Sequence, residues 1–421
     1  MDKLFIKGRS KLKGKVRTSG SKNSVLPIMA ACLLTKERSV IKNVPDLSDV
    51  RTMVRLLQRL GAKVEFCDRT LIIEPGNYKG DTATYKFVSV MRASVCVLGP
   101  LLAKQKTANV SLPGGCVIGP RPVDLHIKGL KALGADIDIS HGYLIAKAKQ
   151  LQGANMYLGG AYGSSVLATG NIMMAATLAK GKTTIENAAC EPEVVDLAEM
   201  LIKMGAKIKG HKTHTIEIEG VKSLGGASHT TIPDRIEAGT FMIAAAMSSG
   251  DVIIEGARAD HLGALIDKLK STGAHINSNT DGIKVKGGRT IKPVDVVTLP
   301  FPGFPTDLQA QITAMMCLAK GISIVTEKIY PERFMHISEL NRMGADIILE
   351  GESAIIKGQR RLMGAPVMAS DLRASAALVL AGLVGEGTTE ISRIYHLDRG
   401  YENIEQKLAS LGAKIWREKE K

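Results

Sequence analysis

Six times along this chain a hydrophobic stretch closes on Gly-Ala and runs into a short apolar segment. The six are Leu60-Gly61-Ala62-Lys63-Val64, Leu133-Gly134-Ala135-Asp136-Ile137, Met204-Gly205-Ala206-Lys207-Ile208, Thr272-Gly273-Ala274-His275-Ile276, Met343-Gly344-Ala345-Asp346-Ile347 and Leu411-Gly412-Ala413-Lys414-Ile415. Successive glycines are 73, 71, 68, 71 and 68 residues apart. Glycine just past a helical run is a stop signal, because it enters the left-handed conformation at little cost. A strand begins at once after each, so one helix-to-strand device is copied six times and the fold is six copies of one unit.

Each unit opens with a short helix rich in small residues: Asn23 to Leu34, Arg92 to Ala103, Ser165 to Ala179, Arg235 to Met247, Asp307 to Ala319 and Asp371 to Leu383. Ala, Met, Leu and Val on nearly every face predict helices buried all round. A short strand follows, then a polar loop, the amphipathic helix that ends at Gly-Ala, and two more strands. The unit reads αβαββ. At roughly 70 residues it is larger than a solenoid repeat, so a few units closing round a core are favoured over a stacked array. Three buried helices walled by three sheets make one such core, and six units make two.

The sixth unit runs out of chain after Lys414-Ile415-Trp416. Two N-terminal pieces, Leu4-Phe5-Ile6 and Lys15-Val16-Arg17, are expected to complete it. The first domain is then 21–229, and the second joins 1–20 to 230–421. The chain crosses near residue 21 and again near 229, where Leu224-Gly225-Gly226-Ala227-Ser228 reads as a linker. A cleft between two domains joined in this way is a natural ligand site.

Composition narrows the chemistry. The chain has 421 residues, 45% of them apolar and 23% charged, as in a soluble globular protein. No apolar run reaches the ~20 residues a membrane span needs, and Met1-Asp2-Lys3-Leu4 opens without the long apolar stretch of a signal peptide. The cysteines (Cys32, Cys67, Cys96, Cys116, Cys190 and Cys317) include no Cys-x-x-Cys pair. That argues against a zinc site or disulfide framework and for a reducing cytoplasm. The net charge is +15, yet aromatics are only 4% and no nucleic-acid signature is present. Small anions are therefore better partners for that charge than single strands.

Cations open several of the small helices: Lys22 beside Asn23, Arg92, Arg235, and Arg373 in the first turn of the last. A cation at a helix N-terminus is unfavourable by a few tenths to ~1 kcal/mol unless an anion lies beside it. Asp234 and Asp371 are neighbouring acids for Arg235 and Arg373. Lys22 and Arg92 have none adjacent, which favours an anionic ligand there. The loop Leu112-Pro113-Gly114-Gly115-Cys116-Val117-Ile118-Gly119-Pro120-Arg121-Pro122-Val123-Asp124-Leu125-His126 holds two consecutive glycines and a cysteine that is not core filler. A thiol near Lys and Arg has a lowered pKa and is reactive; an idle loop cysteine is the alternative.

That loop, with Ser19-Gly20-Ser21-Lys22-Asn23, Met91-Arg92-Ala93-Ser94, Phe304-Pro305-Thr306-Asp307, Arg333-Phe334-Met335-His336 and Tyr395-His396-Leu397-Asp398-Arg399-Gly400-Tyr401-Glu402, resembles the enolpyruvyl transferases that act on UDP-N-acetylglucosamine. The resemblance covers essentially the whole chain. It implies an α/β (α+β) fold of two inside-out α/β barrels, three units each, and a cytoplasmic enzyme of peptidoglycan synthesis, the target of fosfomycin. It implies transfer of the enolpyruvyl group of phosphoenolpyruvate to the sugar 3-hydroxyl with release of phosphate, with no metal and no organic cofactor.

By the same resemblance, Lys22, Arg121, Arg373 and Arg399 hold phosphoenolpyruvate. Cys116 is the general acid and forms a covalent adduct. Asp307 is the base or the orienting group at the sugar hydroxyl. Asn23, Arg92, Arg121, Pro122, Val123, Asp124, Leu125, Ser165, Val166, Asp307 and Ile329 contact the sugar nucleotide. Asp307 after Pro-Thr also fits a helix N-cap, and its register match with Asp371 suggests that both cap equivalent helices. His126, His336 and His396 read as structural hydrogen-bonders.

The chain departs from the family at Leu167, where members carry glycine in Ser-Val-Gly-Ala-Thr, at Tyr162-Gly163-Ser164, at Asp46-Leu47-Ser48 and at Pro331. Two other readings stand beside the main one: a sugar-nucleotide-binding paralogue with weak turnover, and the sister transferase acting on shikimate 3-phosphate. The latter shares the architecture and lacks the cysteine loop.

Overall fold

The computed structural model describes residues 2–76, 80–89, 91–112 and 123–419. The cysteine loop with Cys116, Arg121 and Pro122 lies outside the described residues. The chain divides into two compact units: one runs from Gly20 to Ile232, and the other joins the residues up to Ser19 with those from Pro233 onward.

All six Gly-Ala signals are helix stops. Gly61, Gly134, Gly205, Gly273, Gly344 and Gly412 have φ between +86° and +106°. After the helix Ser48–Arg59, the Ala62 amide donates to the Leu57 carbonyl and the Gly61 amide to that of Gln58, both at 3.0 Å. The same pair of bonds recurs at all six sites, the last as Ala413 to Leu408 and Gly412 to Ala409. This double closure satisfies the orphan carbonyls of a helix end and turns the chain directly into a strand.

The small-residue helices are buried as expected. All thirteen residues of Arg235–Met247 are buried, as are eleven of the thirteen in Leu372–Val384. They form the centre of two separate apolar cores, one in each unit. Six four-stranded sheets cover them, all wired alike. In the first, Ser39–Lys42 runs antiparallel to Thr70–Glu74, which pairs with Lys63–Cys67. On the other flank of Ser39–Lys42 lies a parallel edge strand, Ser228–Thr230.

That edge strand corrects two expectations. The repeat is βαβαββ, since a short parallel strand precedes each buried helix. These edges, Thr82–Ala83, Asn155–Tyr157, Ser228–Thr230, Lys13–Arg17, Val296–Val297 and Pro366–Met368, are two to five residues long. That is too short for an alternating pattern to register. The stretch ending at Ser228 is therefore not linker alone, because the chain pairs with the first sheet before it leaves the unit. The N-terminal pieces also part company. Asp2–Lys7 completes the sixth sheet between Thr388–Ser392 and Lys414–Lys419. Lys13–Arg17 instead pairs parallel with Asp251–Glu255 in the fourth sheet.

Candidate active site

The residues singled out from the sequence lie mainly at helix starts. In the unit from Gly20 to Ile232, Lys22 and Asn23 begin the helix Lys22–Ala31. Arg92 begins the 3₁₀ turn Arg92–Val97, and Asp124 and Leu125 begin Asp124–Ala132 just after Val123. Ser165 caps Val166–Ala176, its Oγ accepting the Ala168 amide at 3.3 Å. In the other unit Asp307 sits in the 3₁₀ turn Thr306–Leu308 and Arg373 in the first turn of Leu372–Val384. Arg399 ends the 3₁₀ helix Ile394–Arg399.

Lys22 has an acid after all. Its Nζ donates to Asp49 Oδ2 at 3.3 Å, with side chains only 10% and 3% exposed. Asp49 lies in the first turn of Ser48–Arg59, where a carboxylate also suits the helix dipole. The absence of an adjacent acid therefore says nothing about this ammonium, because the fold supplies one from 27 residues away. Two residues on from Lys22, in the first turn of the helix Lys22–Ala31, Ser24 Oγ donates to Asp196, which also accepts from His229 Nε2 at 2.8 Å and from the Ile232 amide at 3.2 Å.

In the other unit the cations converge on Asp307. Arg333 Nη1 donates to Oδ1 and Arg373 Nη2 to Oδ2, each at 2.8 Å. Both guanidinium side chains are buried, and Asp307 keeps a quarter of its own exposure. Burial alone pushes the Asp307 carboxyl up, but the charges and hydrogen bonds of Arg373 and Arg333 outweigh it and hold the group well below the usual carboxylate range. Burial works against the charge of Arg373 too, and Asp307 more than restores it.

The pair is set in a chain of hydrogen bonds. Thr306 Oγ1 accepts from Arg333 Nη1 at 3.0 Å and donates to Glu327 at 2.9 Å. Glu327, fully buried, also accepts the Ile329 and Tyr330 amides and so shapes the turn that carries Ile329. On the far side Arg373 Nη1 donates to the Tyr401 hydroxyl at 3.3 Å, and Thr240 and Gln311 bond to the same hydroxyl.

Two expectations fail here. Asp307 does not cap a helix: it lies inside a turn whose N-cap is Pro305, and its carboxylate goes to the two arginines. Asp371, its register mate, does cap, accepting the Arg373 and Ala374 amides at 2.8 and 3.1 Å. That occupies the acid next to Arg373, whose charge is met by Asp307 instead. Asp234 also caps its helix, its Oδ1 accepting the Ile236 and Glu237 amides, and the Arg235 guanidinium lies over the Phe301 ring.

Leu167 is the second residue of the helix Val166–Ala176 and is half-buried. It lines a small, mostly apolar cavity with Asn23, Cys96, Gly170, Val194 and Leu197. Before it, Gly163 at φ +88° closes a tight hairpin with Gly160 that only glycine enters easily. Cys32, Cys96 and Cys317 are core residues whose thiols burial pushes up to about 12, far from the thiolate that reacts. His396 is held down by burial first and the Arg399 charge second, and His336 by burial to about 4.

Asp49, Arg333, Tyr401 and Glu327 were not among the candidate residues. Arg333 and Tyr401 stand in the motifs quoted above. Asp49 carries only the weak signal of an acid at a helix start.

Residues 6–408 match the family model for EPSP synthase (3-phosphoshikimate 1-carboxyvinyltransferase). A UDP-N-acetylglucosamine 1-carboxyvinyltransferase of Geotalea uraniireducens is 56% identical over 420 residues, 100% of both chains. The protein of that name from Methylacidiphilum infernorum is 55% identical over 417 residues, 99% of both. Among solved structures, the enolpyruvyl transferase NikO from Streptomyces tendae superposes with a TM-score of 0.89 at 24% identity, covering 99% of this chain and 98% of that one. An EPSP synthase from Acinetobacter baumannii gives 0.77 at 20% over the full length of both. These two share the fold. By sequence, the chain belongs to the EPSP synthase family of carboxyvinyl transferases and, within it, to the UDP-N-acetylglucosamine 1-carboxyvinyltransferases.

Proposed function

We propose that this protein transfers the enolpyruvyl group of phosphoenolpyruvate to the 3-hydroxyl of UDP-N-acetylglucosamine, releasing phosphate, in the first committed step of peptidoglycan synthesis. The observation that carries this is full-length identity of 53–56% to relatives of that name. The shikimate 3-phosphate reading rests on the name of the family model that residues 6–408 match, and on EPSP synthase structures whose 19–20% identity speaks to the fold alone.

The chemistry needs cations for phosphate and carboxylate, an acid at the methylene carbon and control of the sugar hydroxyl. Lys22 and Arg373, with Arg121 and Arg399, supply the cations. Lys22 adds its charge to the positive end of its own helix, and its ammonium is paired with Asp49. In the forward direction the Cys116 thiol gives its proton to C3 of phosphoenolpyruvate. The sugar 3-oxygen bonds to C2 as its hydroxyl proton passes to an oxygen of the phosphate that will leave. The ketal so formed loses phosphate, carrying the sugar proton, from C2 and returns a proton from C3 to the Cys116 thiolate, which restores the double bond on the new ether and the thiol.

Asp307 takes the orienting role. With both oxygens bonded to guanidinium groups and its pKa depressed, it is a weak proton acceptor at neutral pH and a strong fixed acceptor of a hydrogen bond. Asn23, Arg92, Val123, Asp124, Leu125, Ser165, Val166 and Ile329, with Arg121 and Pro122, address the nucleotide sugar. We assign the enzyme to the cytoplasm, since its five described cysteines are free and no described helix is long and apolar enough to cross a membrane.

Phosphate release on mixing the protein with both substrates tests the reading, with Cys116→Ala as control. Release well above that control is expected. None above it, with the nucleotide sugar still bound, would leave the binding paralogue in its place.

A further inference from the structure

Asn171 is fully buried in the middle of the helix Val166–Ala176, a position where a polar side chain is unfavourable unless it is well bonded. It is well bonded. Its Nδ2 donates to the Val95 carbonyl at 2.8 Å and to His126 Nδ1 at 2.9 Å, and its Oδ1 accepts the Gly99 amide at 2.8 Å. The carbonyl and the amide fix which end of the side chain is which. His126 must then accept at Nδ1, so its Nε2 carries the proton. The imidazole is buried and kept neutral, its pKa pushed down to about 3 by burial first and the Arg92 charge second.

The partners lie on separate elements. Val95 and Gly99 belong to the segment that Arg92 opens, where the 3₁₀ turn Arg92–Val97 passes into the helix Leu98–Gln105. His126 follows Asp124 and Leu125 in the first turn of Asp124–Ala132. Asn171 itself lies one and a half turns from Ser165 and Val166. Glycines bring these elements close. A Cβ on Gly99 would meet the Asn171 carbonyl oxygen at 2.2 Å, and one on Gly129 would meet Ile172 at 2.0 Å.

We propose that Asn171, acting through His126, is a positioning residue for the nucleotide sugar: it locks in one register the three elements that carry Arg92, Val123-Asp124-Leu125 and Ser165-Val166. This rests on the acceptor reading above. It assigns a role to two side chains that need not touch a substrate.

The test is steady-state kinetics of the full chain with phosphoenolpyruvate and UDP-N-acetylglucosamine, for wild type, Asn171→Leu, His126→Leu and His126→Asn. The last keeps an acceptor, the amide oxygen, where Nδ1 stands. Both leucine variants should raise KM for the nucleotide sugar about tenfold, the size expected when a buried partner loses its hydrogen bond. KM for phosphoenolpyruvate should move about twofold at most, since uniform binding of the other substrate is intact. His126→Asn should recover most of the loss. Leu201→Ala, a buried apolar truncation in the same unit, should lower Tm and leave both KM values in place.

Equal shifts in both KM values, an unchanged nucleotide-sugar KM in either folded leucine variant, or no rescue by His126→Asn would each overturn the proposal. Should Asn171→Leu fail to fold, the His126 pair decides alone. A wild type that releases no phosphate overturns the acceptor reading and this proposal with it. An active wild type with unmoved KM values in the variants overturns only the role given to Asn171.

Discussion

Replacing Asp307 by asparagine should cost the unit that carries it about 3 kcal/mol. The two bonds at 2.8 Å join one carboxylate to two buried guanidinium groups. Asparagine keeps one acceptor oxygen for one arginine and turns an NH2 toward the other. Breaking a buried ion pair by removing one partner destabilises by about 3–5 kcal/mol. Because Asp307 is 25% exposed and one bond survives, the lower end applies. At about 2–4 °C per kcal/mol for a unit of this size, Tm should fall by about 6–12 °C.

The pH dependence sharpens the test. A carboxylate whose folded pKa is depressed contributes stability that is complete above its unfolded value of ~3.9 and is lost only as pH falls through the folded value. The Tm gap between wild type and Asp307→Asn should therefore stay constant from pH 8 to pH 5. Scanning calorimetry at several pH values measures it. A gap below about 2 °C, or one that shrinks between pH 8 and 5, would refute the reasoning.

Three further outcomes are expected. Gly205→Ala forces a Cβ into a left-handed φ of +100° with open space around it, so only conformation is penalised, by about 1–2 kcal/mol in thermal unfolding. Asp371→Ala removes the cap of Leu372–Val384 and should cost about 1 kcal/mol of stability, with KM for phosphoenolpyruvate raised through Arg373 in the first turn. Fosfomycin should add once to the wild type in the presence of nucleotide sugar, and not at all to Cys116→Asp, as read by intact mass.

The frame of the molecule is legible because its signals are local. A Gly-Ala pair after a helical run specifies two hydrogen bonds within six residues, and it does so at all six sites. Helices with no polar face are buried because no other environment suits them. The edge strands were missed because two to five residues in a parallel pairing leave no period to count. Lys13–Arg17 was assigned to the wrong sheet for a related reason: strand character is local, while the partner strand lies more than 230 residues away.

The pairings of the candidate site residues were not legible in the sequence. Lys22 and Arg373 stand out at helix starts, but their acids, Asp49 and Asp307, come from 27 and 66 residues away. Asp307 and Asp371 share a sequence pattern and differ in structure, because one lies inside a 3₁₀ turn and the other before a helix. Asn171 gives no signal in the sequence beyond being polar among Ala, Met and Ile.

What the copies share builds the frame, and in the proposed mechanism the chemistry falls to what each copy does differently: Lys22, the Cys116 loop, Asp307 and Arg399 belong to different units. The most direct measurement is kcat/KM for the two acceptors, UDP-N-acetylglucosamine and shikimate 3-phosphate, each with phosphoenolpyruvate and with the product identified by mass. Turnover of the nucleotide sugar to its enolpyruvyl ether, lost in Cys116→Ala, with none of shikimate 3-phosphate, is the predicted result. Turnover of shikimate 3-phosphate in preference, or full activity of Cys116→Ala, would contradict it.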